Sequence, residues 1–177
     1  MNLDLLKHPN IPKPLHGVNP RTIYGDEWWE TARHEAYKFN NYCCHACDVP
    51  KKEAKYHHWL EAHEHYDINY RTGEVTFVGV VALCHACHNY IHDGRMLILA
   101  SKGKLSWPKY HDIIQHGNDL LGFELKQPLK PYTPALDAGI EIAPWDKWHL
   151  NLDGTKHYSP YKNIKEWAKH YAETRED

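Results

Sequence analysis

The tetrapeptide CHAC occurs twice in this chain, at Cys44–Cys47 and at Cys84–Cys87. A Cys-x2-Cys turn aims two thiolates at one ion, and two such knuckles complete a tetrahedral S4 set that suits Zn2+. The expected zinc ligands are Cys44, Cys47, Cys84 and Cys87. Cys43 is the fifth cysteine and could replace Cys44, although the matched spacing favours Cys44. The ground around the knuckles is crowded with imidazole: the chain has 16 histidines. His88 follows Cys87 directly and His92 comes four residues later, so on a helix both share one face and could grip a second ion. Upstream, LEAHEHYD offers Glu61, His63 and Glu64. His57, His58 and His65 read as surface or satisfied core histidines.

The elements needed to position these groups can be read from pattern. DEWWETARHEAYKFNN predicts a helix with Asp26 as N-cap and an apolar stripe of Trp29, Ala32, Ala36 and Tyr37. YHHWLEAHEHYDINY alternates as a strand, with Trp59, Glu61 and His63 on one face and Leu60, Ala62 and Glu64 on the other. Glu61 could therefore orient His63. Arg71–Gly73 reads as a turn, and EVTFVGVVAL as a second, buried strand. CHACHNYIHDG predicts a short helix ended by Gly94. SWPKYHDIIQHGNDLLG predicts another helix, with Ser106 as N-cap and Pro108 in its first turn. A hairpin is expected around Asp153-Gly154. It leads to a last helix capped by Ser159, with Pro160 at its first position and Ile164, Trp167, Ala168 and Tyr171 on its buried face. Residues 1–25 read as an extended, Pro- and Gly-rich arm. Residues 26–126 form the zinc-binding core with its flanking helices. Residues 127–177 hold a Pro-rich linker and a small hairpin-helix unit.

A knuckle, a strand carrying WLEAHE, and a closing LCHACHNYIH together resemble the HNH endonuclease family in its zinc-stapled form. The resemblance covers about residues 40–95. It implies an α+β protein whose treble-clef zinc site staples a ββα-metal core, with flanking helices and a C-terminal hairpin-helix unit. It also implies hydrolysis of DNA phosphodiesters, with DNA preferred to RNA. By position His63 and Glu64 match the family's strand pair and His88 its closing ligand, which makes His63, Glu64 and His88 the expected catalytic residues. His63, with His88 and His92, is also expected to hold the working divalent ion. His63 is expected to be the base; it could instead be the ligand, with Glu64 taking the second role. Two features depart from the family pattern: Glu64 stands where a second histidine is usual, and the middle Asn falls near Gly79. Two imidazole ligands favour Mn2+, Ni2+ or Zn2+ over Mg2+, which prefers oxygen; Mg2+ could serve with fewer protein ligands.

Composition sets the other limits. The formal net charge is −2, so no strong global basic bias favours non-specific nucleic-acid binding. The Lys51–Lys55 cluster could still touch phosphates. No Gly-rich phosphate loop and no nucleophile elbow are present. The longest apolar run, VTFVGVVALC, is about half of the ~20 residues a membrane span needs. No signal peptide is evident, and paired cysteines suit metal thiolates in a reducing compartment, so a cytoplasmic protein without a membrane partner is expected. The rival to a nuclease is a zinc-stabilised module that binds protein or nucleic acid without cutting; an inhibitor encoded by a phage is a third possibility. A protein partner that delivers the chain to DNA is conceivable.

Overall fold

In a computed structural model of the chain, residues 1–123 and 141–174 are described. The protein is α+β. Six α-helices accompany one four-stranded mixed sheet of order β1-β2-β3-β4 among the described residues. The strands are β1 (Glu61–Asn69), β2 (Glu74–Leu83), β3 (His149–Leu152) and β4 (Thr155–Tyr158). The helices are α1 (Pro20–Tyr24), α2 (Asp26–Phe39), α3 (His85–Ile91), α4 (Asp93–Ser101), α5 (Trp107–Leu121) and α6 (Ile164–Thr174). None of the helices among the described residues is long and apolar enough to cross a membrane.

The chain divides into two compact units, and passes between them within α2 and within both strands of the first hairpin. Among the described residues the first unit comprises 1–10, 32–65 and 80–123. Its core runs from Leu5 and Leu6 through the buried cysteines to Leu83, Tyr90, Ile91, Ile113 and Ile114. α3 and α5 pack on each other here. The Tyr90 hydroxyl donates to Asn118 Oδ1 at 2.9 Å, so both buried polar groups are satisfied. Gly117 gives the Tyr90 ring its seat: a Cβ there would stand 2.2 Å from the ring.

The second unit comprises 11–31, 66–79 and 141–174 among the described residues, around Leu15, Tyr66, Val75, Trp148, Leu150 and Leu152. β2 pairs parallel with β3 from Glu74↔His149, and β3 returns antiparallel as β4. The expected hairpin lies at Asp153-Gly154. Both residues have positive φ, 51° and 82°, as a two-residue primed turn requires.

Several local expectations need correction. Gly94 does not end a helix. α3 stops at Ile91, the chain bends at His92 (φ −90°, ψ 36°), and Gly94 sits in the first turn of α4. Burial of Met96 and Ala100 outweighs the roughly 1 kcal/mol that a helical glycine costs. α6 is capped by Asn163, whose Oδ1 accepts from the Lys165 and Glu166 amides. Ser159 Oγ instead accepts from Tyr161 N in the preceding loop. Ile164 is 45% exposed and Ala168 is exposed, so α6 is held mainly by Trp167 and Tyr171 against the His16 ring. The N-terminal arm is not uniformly extended. It forms 3-10 turns at Leu3–Lys7 and Lys13–Leu15, and α1, which bury Leu5, Leu6 and Leu15. Asp26 is the first helical residue of α2 rather than its cap, and of the expected stripe only Ala36 is fully buried. Most of the expected linker, residues 127–140, lies outside the described residues.

Candidate metal centres

The first knuckle is a miniature hairpin. Cys43 and Pro50 form a bridge, Cys44 N donates to Val49 O, and Asp48 takes a positive φ of 66° to close the turn. One backbone bond and one bond to the imidazole fasten it to the end of β2: His45 N donates to Ala82 O at 2.8 Å, and Ala82 N to His45 Nδ1 at 3.0 Å. The second knuckle begins at Cys84, the N-cap of α3, and places Cys87 within the helix. These two anchors bring Cys44, Cys47, Cys84 and Cys87 together, with all four sulfurs within 4.8 Å of one another. Cys44, Cys84 and Cys87 are buried. Cys43 is not part of the cluster and turns its thiol toward Asn41 O.

The geometry fits a tetrahedral ion. Zn–S bonds of about 2.3 Å imply sulfur–sulfur edges of about 3.8 Å, and Cys47 and Cys84 stand 3.8 Å apart. Without a cation four crowded sulfurs compete for protons: contacts with Cys44 and Cys47 push Cys84 and Cys87 far up, while contacts with Cys44, Cys84 and Cys87 pull Cys47 far down. His116 Nε2 lies 3.4 Å from Cys87 Sγ, where an N–H would support a thiolate from outside the sulfur set. Sequence reasoning missed His116, which sits on α5, far away in the chain.

α3 leaves the thiol cluster carrying His85 and His88, with His92 at its C-cap. The spacing aims all three toward β1. There, His63, His88 and His92 form a triad whose donor atoms lie within 4.8 Å of one another. The rings meet edge-on, with centroids 4.7–5.4 Å apart. His63 is 6% exposed, and its Nε2 stands 3.2 Å from Nδ1 of His8, which is also buried. Burial, reinforced by the neighbouring imidazoles of His92, His88, His8 and His65, drives the His63 pKa far down. The ring is therefore neutral, the form that binds metals.

Glu61, expected to orient His63, engages other histidines. Its Oε2 is in close contact with His88 Nδ1, while its Oε1 meets His85 Nδ1 at 2.7 Å and His57 Nε2 at 3.0 Å. Burial alone would raise this carboxyl, but the bonds from His88 and His85 outweigh it and lower its pKa to about 2. His57, Glu61 and His85 form a second triad. Sequence reasoning passed over His57 and His85. His85 was legible in hindsight, since positions 85, 88 and 92 follow helical spacing; His57 comes from a loop and carries no periodic signal. Glu64 is in neither triad, and strand alternation turns it to the opposite face from His63.

The surroundings of the histidines are basic and aromatic. The Trp59 ring is stacked on His57 with centroids 3.6 Å apart, yet remains 60% exposed. Tyr56 packs edge-on against His85 and carries Lys109 Nζ 4.7 Å above its ring. Lys55 and the Tyr56 hydroxyl both hold Asp112.

Comparison of the chain with family models, with curated proteins and with solved structures finds no match.

Proposed function

We propose that the protein is a metal-dependent endonuclease of the HNH kind, hydrolysing DNA phosphodiester bonds, in which a treble-clef zinc staple holds a ββα-metal core. One observation carries this. α3, pinned at one end by the second knuckle, lays His88 and His92 against His63 of β1. A buried S4 cluster thus fixes the frame from which a half-open histidine cluster projects.

In this account the four cysteines hold Zn2+, and His63, His88 and His92 hold the working ion. A divalent ion there would supply Lewis acidity to a phosphoryl oxygen and to the leaving group. The contact of His88 Nδ1 with Glu61 fixes the ring's tautomer and leaves Nε2 for the ion. The burial of His63 suits a ligand better than a base that must exchange protons with water. Lys109 supplies positive charge for the phosphate backbone. The exposed Trp59 ring offers a face for an unpaired base.

A second function class has its own support. His8 and His63 are both 6% exposed, which suits a purely structural histidine cluster in a zinc-stabilised module that binds protein or nucleic acid without cutting. Supercoiled plasmid, single-stranded DNA and RNA, each incubated with Mg2+, Mn2+, Ni2+ or Zn2+, separate the two. The nuclease account expects DNA cleavage that chelator abolishes and His88→Ala lowers at least 100-fold. A folded, zinc-loaded protein that cuts nothing under any ion would leave the binding module.

A further inference from the structure

The triad of His57, Glu61 and His85 lies outside the three-histidine site, and of its members the function proposed above uses only Glu61, as the partner of His88. Its three donor atoms form a nearly equilateral triangle. Glu61 Oε1 to His85 Nδ1 is 2.7 Å, Glu61 Oε1 to His57 Nε2 is 3.0 Å, and His57 Nε2 to His85 Nδ1 is 3.0 Å.

Hydrogen bonds alone do not account for this triangle. At neutral pH a glutamate is a carboxylate and only accepts. If both imidazoles donate to Oε1, their two N–H groups face each other at 3.0 Å. If His85 Nδ1 is left bare, its lone pair faces a carboxylate oxygen at 2.7 Å. The Asn89 amide sharpens the second case. Its Nδ2 is identified by donation to His85 O at 2.9 Å, and the same nitrogen lies 3.2 Å from His85 Nδ1. An amide nitrogen has only donors to offer, which favours a lone pair on His85 Nδ1. With Glu61 ionised, no placement of protons makes all three sides of the triangle attractive. A cation at its centre does.

The lengths also select a geometry. Metal–ligand bonds of about 2.0–2.1 Å give donor separations of about 3.4 Å in a tetrahedron and about 2.9 Å at right angles. The observed sides match right angles. Three donors at right angles occupy one face of an octahedron and leave the opposite face open. The side chains are partly buried, with 11%, 24% and 19% exposure for His57, Glu61 and His85.

We propose that His57, Glu61 and His85 form a further metal site, a facial two-histidine, one-carboxylate set for Mn2+, Fe2+ or Zn2+. Glu61 joins it to the three-histidine site, since Oε1 faces this ion while Oε2 holds His88. The chain then carries three ions: one in the thiols, one in the three-histidine site and one in the facial set.

The test counts ions without DNA, so it stands or falls separately from nuclease activity. Protein equilibrated with Zn2+ is weighed by native mass spectrometry. The wild type is expected to hold three ions. His57→Ala, which touches neither the thiols nor the three-histidine site, is expected to hold two. A His57→Ala variant that holds as many ions as the wild type overturns the proposal, whether or not the three-histidine site fills. Should His57→Ala misfold, anomalous diffraction from wild-type crystals soaked in Mn2+ decides. A peak among His57, Glu61 and His85 supports the site, and no peak there overturns it.

Discussion

The thiol cluster and the histidine clusters share α3 yet are built on opposite terms. The four sulfurs come from two local knuckles, three of them are buried, and hydrogen bonds between His45 and Ala82 lock the first knuckle to β2. The histidines come from a loop, a strand and a helix, and several remain open to solvent. A closed set with every ligand position filled by protein is the mark of a structural ion; a set with fewer protein donors leaves positions for substrate or water. The thiol set alone would fill a tetrahedral ion's coordination, whereas each three-donor set would leave positions not filled by protein.

The harshest way to break this contrast is to remove a sulfur. Cys84→Ser should forfeit zinc binding, on the order of 10 kcal/mol for such sites at neutral pH, and unfold the first unit. Loss of helical circular dichroism on mutation or chelation checks it. His88→Ala should do the reverse. It keeps the zinc and the fold and lowers DNA cleavage at least 100-fold, equivalent to about 2.7 kcal/mol or more of barrier. An unfolded His88→Ala protein would erase the distinction between the two regions.

A smaller effect probes the support the two regions share. Gly117→Ala gains helix propensity of about 1 kcal/mol, but its Cβ would meet the Tyr90 ring at 2.2 Å. Overpacking of this kind costs about 1–3 kcal/mol, so a net fall in melting temperature is expected while the ions are retained. The smallest effect lies in the second unit. Bonds from Asn151 and then His149 lower the Glu74 pKa. A carboxyl whose folded pKa is depressed adds stability above its unfolded value, and that stability fades as pH falls through the folded value. Glu74 is largely solvated, so Glu74→Gln should cost at most about 0.5 kcal/mol near neutrality and nothing in strong acid. Thermal melts across pH would show this, with no change in ion content.

The same contrast explains what was legible in the sequence. Cys-x2-Cys knuckles are local and repeat their spacing, so the S4 set could be written down from the chain alone. The β1–β2 pair, α2, α5 and the Asp153-Gly154 turn were legible for similar reasons: periodicity and turn chemistry act over a few residues. The second metal triad was not. His57 lies in a loop, and Glu61 reads equally well as a partner for His63 until α3 is placed in space. His8 and His116 approach their clusters only through tertiary packing. Gly94 misled because burial of Met96 and Ala100 overrode its local propensity, and Ser159-Pro160 looked like a cap until Asn163 took that role.

The proposed division between a structural ion in the thiols and a catalytic ion in the histidines is read out by titrating Mn2+ into protein that carries only its thiol-bound zinc, while following nicking of supercoiled plasmid. The one-zinc protein is expected to be folded and inactive, with nicking that rises as Mn2+ fills the histidine site and is absent in His88→Ala. Nicking that is indifferent to His88, or a fully loaded protein that never cuts, would contradict that division.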